Sequence, residues 1–348
     1  MIRQAHHNVK TVVSIIIVNR NGKQFLKPCL DSVAKIKQPS FELIIVDNGS
    51  SDGSKQLVKN FIQRQGVMRR AIFNATNLGF CHANNQGAGL ARGDYLLFLN
   101  NDTEVPTDLA EKLVNKLRQD KTIGIIQPKI LLKDEPGNLD SVGGFLTWTG
   151  FLNHLGIHEK DRGQYDKEFP VLSPKGACMM IPRRLFNRVG GFDEDFFAYF
   201  EETDLAWRVW LAGKRVLYFP ESSILHLMGR TTRQLEFDFI QFHSYKNRIA
   251  SLIKNVATRS LWRVVVHMLI VLSLATFYIL IGKFRVAKPI WRSLGWNVKH
   301  LGTTIKKRRS IQITRKVNDS FLKLVSKPIN LAKAIHDVFY LQHESGLR

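Results

Sequence analysis

Four polar clusters, far apart in the chain, have the residue types that phosphate binding, metal binding and proton transfer need. In Gly93-Asp-Tyr-Leu-Leu-Phe-Leu-Asn-Asn-Asp-Thr-Glu-Val-Pro106 a short apolar run stops abruptly in Asn100, Asn101 and Asp102. A carboxylate beside two amides at a strand tip suits a hard divalent cation that keeps positions open for phosphate oxygens. Asn and Asp also favour turns, so the same residues read as a solvated strand-to-helix connection. In Val46-Asp-Asn-Gly-Ser-Ser-Asp-Gly-Ser54 two glycines allow tight turns. There Asp47 can accept from a base imide or a ribose hydroxyl while exposed amides face a phosphate. Asp52 and Ser54 equally suit a helix N-cap. Farther along, Phe196, Phe197, Tyr199 and Phe200 lead directly into Glu201, Glu202 and Asp204. A carboxylate desolvated by aromatics has a raised pKa and makes a better general base near neutral pH. The alternative is an acidic first helical turn, with Asp204 and Arg208 as an i,i+4 pair, and the residues alone leave both open. Finally, Ile224-Leu-His-Leu-Met-Gly-Arg-Thr-Thr232 places His226 between leucines, a common setting for a hydrogen-bonded core histidine. Arg230 in that segment suits a phosphate or plain solvent.

The elements that must position these residues follow an alternating rhythm. Val12 to Val18, Phe41 to Val46, Arg70 to Phe73 and Tyr95 to Leu99 read as strands, separated by helices over Lys23 to Val33, Lys55 to Gln63 and Gly79 to Ala91. That is the pattern of a parallel α/β sheet. Right-handed crossovers put the strand tips along one edge, so Asn19, Asp47 and Asp102 are expected to share one crevice. Neither GxGxxG nor GxxxxGK occurs, which excludes the usual dinucleotide and P-loop modes. Ile123 to Leu132 and Arg215 to Phe219 read as further strands. Residues 134–163 form a Gly-rich irregular stretch with Trp148, His154 and His158, long enough to be a functional loop or lid.

Composition bounds the setting. The chain has 348 residues, 44% hydrophobic, enough for a full core. Its three widely spaced cysteines, Cys29, Cys81 and Cys178, fit a reducing compartment, and no apolar h-region appears in residues 1–10. The net charge of +22 is uneven, because residues 236–348 hold 20 Lys and Arg against 5 Asp and Glu. Within this cationic tail Val264 to Gly282 is a 19-residue apolar stretch broken only by His267, Ser273 and Thr276, flanked on both sides by Lys and Arg. A single crossing would leave the basic tail outside, against the positive-inside tendency, so a re-entrant or in-plane anchor is expected. Lys306-Lys-Arg-Arg309 suits anionic headgroups. No RRM, KH or zinc pattern accompanies it, so nucleic acid is not the expected partner.

Taken together, Val13-Ser-Ile-Ile-Ile-Val-Asn19, Asp47-Asn-Gly-Ser-Ser-Asp52, Asn74 with Asn77-Leu-Gly-Phe80, and Gly93-Asp94 with Leu99-Asn-Asn-Asp102 resemble a family 2 glycosyltransferase of the GT-A fold, in its rhamnosyltransferase-like bacterial branch. The resemblance covers about residues 11–235. It implies an inverting enzyme that uses a nucleotide-diphospho-sugar (UDP- or dTDP-linked), a divalent metal (Mn2+ or Mg2+) and a lipid-linked or glycan acceptor at the cytoplasmic membrane face. Carried over, the donor side falls on Asn19, Asp47, Asn77, Gly79, Asp94, Asn100, Asn101 and Arg230, with Asp47 at the base. Asp102 and His226 would hold the metal, Asn100 standing where the first carboxylate of the DxD motif is usual. Glu202 is the implied base, Glu201 its rival, and Asp204 orients the acceptor or the helix. The implied organisation is a tail (1–10), a GT-A domain (11–235, donor half to 106, acceptor half after it) and a helical membrane-associated region (236–348). A non-catalytic membrane adaptor that keeps this fold is the alternative reading. A nucleotidyltransferase would need a longer basic loop than Arg20-Asn-Gly-Lys23.

Overall fold

A computed structural model describes residues 11–63, 68–147, 149–227 and 237–325. The N-terminal half runs β1 (Val13–Asn19), α1 (Lys23–Val33), β2 (Phe41–Asn48), α2 (Ser54–Ile62), β3 (Met68–Asn74), α3 (Phe80–Leu90), β4 (Tyr95–Asn100), β5 (Thr103–Glu104) and α4 (Leu109–Gln119). It continues with β6 (Ile123–Leu132), β7 (Leu139–Ser141), β8 (Gly144–Leu146), β9 (Leu152–His154), β10 (Phe169–Pro170), β11 (Cys178–Pro182), α5 (Arg183–Arg188), α6 (Glu201–Leu211) and β12 (Arg215–His226). The C-terminal helices are α7 (Phe237–Asn255), α8 (Trp262–Leu280), α9 (Phe284–Lys299), α10 (Leu301–Thr314) and α11 (Leu322–Val325).

The strands build one mixed sheet in the order β10-β12-β6-β11-β4-β1-β2-β3, with β5 on β12 and β7 on β6. Strands β3, β2, β1 and β4 are mutually parallel, while β11 runs antiparallel between β4 and β6. Strand alternation sorts the core into two layers. Ile15 and Ile17 point toward Leu26 and Leu30 of α1 and Leu113 of α4. Ile16 and Phe98 point the other way, toward Phe192, Leu205 and Trp207. Register then aligns the tips: Asn19 lies opposite Asp47, and Val18 opposite Asn100.

Two features depart from the pattern in the sequence. The stretch after β6 is not a free lid, because it contributes β7 to the main sheet and folds β8 on β9 as a hairpin. Strand β12 does not stop near Pro220. It continues past a register shift to His226, pairing with β6 on one side and β5 on the other.

The cationic tail packs directly on α6. Ala250 and Leu252 of α7, Val256 just after it, Val264 of α8 and Phe321 share a core with Trp207 and Trp210 of α6. Helix α8 buries the stripe Val264, His267, Val271, Ala275 and Tyr278, while Val265, Leu269, Phe277 and Leu280 on its other faces remain exposed. Among the described residues it is the one helix long and apolar enough to cross a membrane.

Candidate active site

The chain reaches its cleft from six directions. A cavity of about 610 Å³ is lined by the strand tips Val18, Asn48 and Asn100 to Asp102, by His226, by Lys175 and Gly176, by the turn Phe197 to Glu202, by His154, and by Phe239, Ser244 and Arg248 of α7.

Asp102 follows β4 and His226 ends β12, and the β5–β12 pairing brings them together, with Leu227 N–H donating to the Asp102 carbonyl at 3.0 Å. His226 Nε2 stands 3.3 Å from Asp102 Oδ1, yet that buried oxygen has no hydrogen-bond partner among the described residues. The other ring nitrogen, Nδ1, is 2.6 Å from Asp140 Oδ2, and Lys175 Nζ lies 3.4 Å from Asp140 Oδ1. Burial opposes the charge on His226, but Asp102 and then Asp140 outweigh it and hold its pKa up to about 9. Asp140 is likewise buried, and Lys175 followed by His226 keeps its carboxyl well below the usual range. A buried carboxylate and an imidazole nitrogen on the cavity wall, with the far nitrogen gripped by a second carboxylate, fit a divalent cation that displaces the imidazole proton. Two protein ligands would leave the remaining positions to other oxygens. Asp140 is the residue sequence reasoning missed here, since nothing local marks it and its partner is 86 positions away.

Asn19 is the hub of the donor half. Its amide donates to Asp47 Oδ2 (3.2 Å), Ser50 Oγ (3.2 Å) and Ser54 Oγ (2.9 Å), and its oxygen accepts from Asn101 Nδ2 at 2.7 Å. The close packing requires glycine at 22, where a Cβ would collide with Asn101 Nδ2 and lie 2.7 Å from Asn19 Oδ1. Asn77 lines the cavity, accepting from Asn48 Nδ2 (2.9 Å) and Gly79 N–H (3.0 Å). Gly79, at φ +89, allows the Phe197 ring and carbonyl to approach where a Cβ would sit at 2.7–2.8 Å.

Three sequence-derived residues occupy other places. Asp47 is fully buried between Asn19 and Ser50 N–H and has no face on the cavity, so it shapes the donor wall from behind, and Asn48 and Arg20 take the lining. Asp94 precedes β4 while Asn100 ends it, which sets Asp94 at the opposite edge of the sheet, about 20 Å away by strand rise. Asp204 turns from the cleft into a charge network, with Arg208 Nε at 2.9 Å, Lys254 Nζ at 3.1 Å and Asn255 Nδ2 at 2.9 Å. It orients α6 against α7. Arg230, Thr231, Thr232 and Trp148 lie outside the described residues.

Glu201 and Glu202 both line the cavity at the first turn of α6. Burial, with Glu202 next, pushes Glu201 well above the ordinary carboxylate range, and its Oε2 has no partner among the described residues. Burial raises Glu202 too, opposed by backbone N–H groups and by Lys175. Thr203 Oγ1, 2.8 Å from Ser173 Oγ, pins this turn to the loop carrying Lys175. The preceding aromatic turn is strained: Phe197, Tyr199 and Phe200 have φ of +66, +69 and +69. Such residues cost about 1–3 kcal/mol each and persist only where surroundings dictate them. Here the Asn247 amide on α7 donates to the carbonyls of Phe196 (3.0 Å), Ala198 (2.8 Å) and Tyr199 (2.6 Å). Of the two histidines, His154 lines the cavity and is pushed down to about 3 by burial and then Lys175, so it is neutral. His158 pairs with Glu135 at the surface.

A sheet of this order, with an Asp–His pair at its central tips and buried glutamates across the cleft, is the architecture of a GT-A glycosyltransferase. The chain resembles the structure of GalNAc-T7 with UDP, GalNAc and Mn2+ at a TM-score of 0.57 and 20% identity, over 71% of this chain and 48% of that one. Residues 14–190 match Glycosyl transferase family 2, and the chain belongs to that family. Its relatives include the O-antigen biosynthesis protein RfbC of Myxococcus xanthus, 29% identical over 225 residues, 62% of this chain and 17% of that protein. They also include the N-acetylglucosaminyl-diphospho-decaprenol L-rhamnosyltransferase of Mycobacterium tuberculosis, 25% identical over 251 residues, 64% of this chain and 78% of that one. The chain thus spans under a fifth of the first relative and about three quarters of the second.

Proposed function

We propose that this protein transfers a sugar, with inversion, from a nucleotide-diphospho-sugar to a hydroxyl of a lipid-linked or cell-surface glycan acceptor at the cytoplasmic face of a membrane. The observation that carries the reading is that one cavity brings together Asp102 and His226, the donor tips, and a desolvated Glu202. Asp102 and His226 would hold Mn2+ or Mg2+, which when bound neutralises charge on the donor diphosphate. Imidazole beside carboxylate favours Mn2+ somewhat. Glu202 takes the proton of the acceptor hydroxyl as its oxygen bonds to C1 and the C1–O bond to the diphosphate breaks. Direct displacement needs no enzyme nucleophile and gives one inversion. Glu201, whose carboxyl burial and then Glu202 push upward, stands beside it. The sugar and acceptor follow the rhamnosyltransferase relative, and UDP or dTDP is the proposed nucleotide. The apolar exposed face of α8 supports an in-plane anchor, since its buried stripe is committed to α7 and α9.

Glu202→Gln tests the base directly. It should lower kcat about 10²- to 10⁴-fold while leaving affinity for the donor intact, measured with Mn2+ across a panel of UDP-, dTDP- and GDP-sugars. Wild-type turnover by the variant would refute the assignment.

A further inference from the structure

Arg248 has no place in the chemistry above, yet it lines the same cavity. Its guanidinium lies over three rings, 4.9 Å from the centroid of Phe151, 5.4 Å from Tyr245 and 5.8 Å from Phe200. Several cations of the tail are answered by oxygens: Lys246 donates to the Asp195 carbonyl at 2.6 Å, Lys254 pairs with Asp193 and Asp204, and Arg308 donates to the carbonyls of Ile253 and Val256. Among the described residues no carboxylate or carbonyl answers Arg248, and its Nε is buried without a partner. Burial pushes its pKa below the ordinary arginine value. A cation held flat by aromatics, without a counterion, presents a preformed fork to a phosphate.

Its position says which phosphate. The metal-binding pair and the donor tips Val18, Asn48 and Asn100 build one part of the cavity wall. Arg248 belongs to the part made by α7, the β8–β9 hairpin and the aromatic turn, and Phe200 beneath it stands two residues before Glu202. In an inverting displacement the acceptor enters on the side of the base, opposite the leaving diphosphate. The cradle also abuts the apolar helix: the Phe151 ring is 4.8 Å from the His267 ring of α8, and His267 Nδ1 is 2.8 Å from the Thr149 carbonyl. The far side of α8 is exposed and apolar, with Leu269 57% and Leu280 79% accessible.

We infer that Arg248, cushioned by Phe151, Phe200 and Tyr245, is the recognition site for a phosphate or diphosphate carried by a lipid acceptor. This rests on the transferase reading and adds the acceptor's charged group to it.

The test is binding of geranylgeranyl diphosphate to the full chain in detergent, with UDP and Mn2+ saturating so that the donor side is filled, and geranylgeraniol as the phosphate-free comparison. Wild type should bind the diphosphate at least about tenfold more tightly than the alcohol. Arg248→Gln should erase that difference, and Arg248→Lys should restore part of it. UDP affinity should be unchanged in both variants, which also shows that they are folded. Equal binding of diphosphate and alcohol by wild type overturns the inference, as does an Arg248→Gln variant that keeps the preference. A variant that loses UDP instead assigns Arg248 to the donor and overturns it too. Phosphatidylglycerol in place of the prenyl diphosphate separates the remaining source of the same chemistry: equal preference for it would make the site a bilayer headgroup contact. Failure of wild type to bind UDP with Mn2+ would sink the transferase reading itself, a result distinct from all of these.

Discussion

Asp140 offers the sharpest test of the proposed metal site, because it holds His226 from behind and does not itself line the cavity. It is fully buried, and Oδ2 lies 2.6 Å from His226 Nδ1. That contact fixes the imidazole so that Nε2 faces Asp102. An outer carboxylate of this kind is worth about 10- to 100-fold in metal affinity. Asp140→Asn keeps the shape and an acceptor oxygen but loses the charge, so it should weaken Mn2+ about tenfold, or ~1.4 kcal/mol. Asp140→Ala loses orientation as well and should approach about 100-fold, or ~2.7 kcal/mol. Lys175, 3.4 Å from the same carboxylate, complicates the comparison, since either variant leaves a cation unbalanced near the metal. Adding Lys175→Met to Asp140→Asn should recover part of the loss. The assay is titration of Mn2+ into protein and UDP, followed by the paramagnetic resonance of free Mn2+, which needs no turnover. Unchanged Mn2+ affinity in Asp140→Ala would mean that His226 does not ligate the metal and that the argument from its geometry fails.

Two further outcomes follow from the same structure. With its pKa held up to about 9, His226 carries a proton at neutral pH that a metal must displace; Mn2+ affinity should therefore rise by about tenfold per pH unit from 7 toward 9 and then level off, and a flat profile over that range counts against the assignment. Leu269→Glu places a charge on the exposed face of α8; the variant should no longer sediment with phosphatidylglycerol vesicles while donor affinity and circular dichroism stay as in wild type, and full vesicle binding would exclude the in-plane anchor.

The donor half was largely legible in the sequence because its signals are local. The helix over Lys23 to Val33 appears with those bounds, and the strand expected over Tyr95 to Leu99 differs by one residue. Buried parallel strands read as continuous apolar runs wherever they occur. The acceptor side was less legible. Strand β12 looks finished at Pro220, and only its pairing with β6 carries it on to His226. Asp140, Lys175 and Arg248 have no telling neighbours in the chain and gain their meaning from residues tens of positions away. Asp94 misled for the opposite reason: a family motif put it near Asn100 in sequence, and a strand's length separates the two in space. Asp204 sits in the same acidic turn as the paired glutamates, but helical geometry aims it at Lys254 and away from them. The head-and-tail charge contrast describes composition, whereas the packing interleaves the two through α7.

One amide in α7 gives that interleaving its sharpest form. The Asn247 amide answers three backbone oxygens, those of Phe196, Ala198 and Tyr199, in the bend that aims the two glutamates. The recognised family segment ends at residue 190, before both that bend and the helix that restrains it. The bend and α7 are therefore held to each other by contacts that lie outside that segment. A chimaera that borrows its tail from another transferase would inherit a sound nucleotide pocket and a slack trigger.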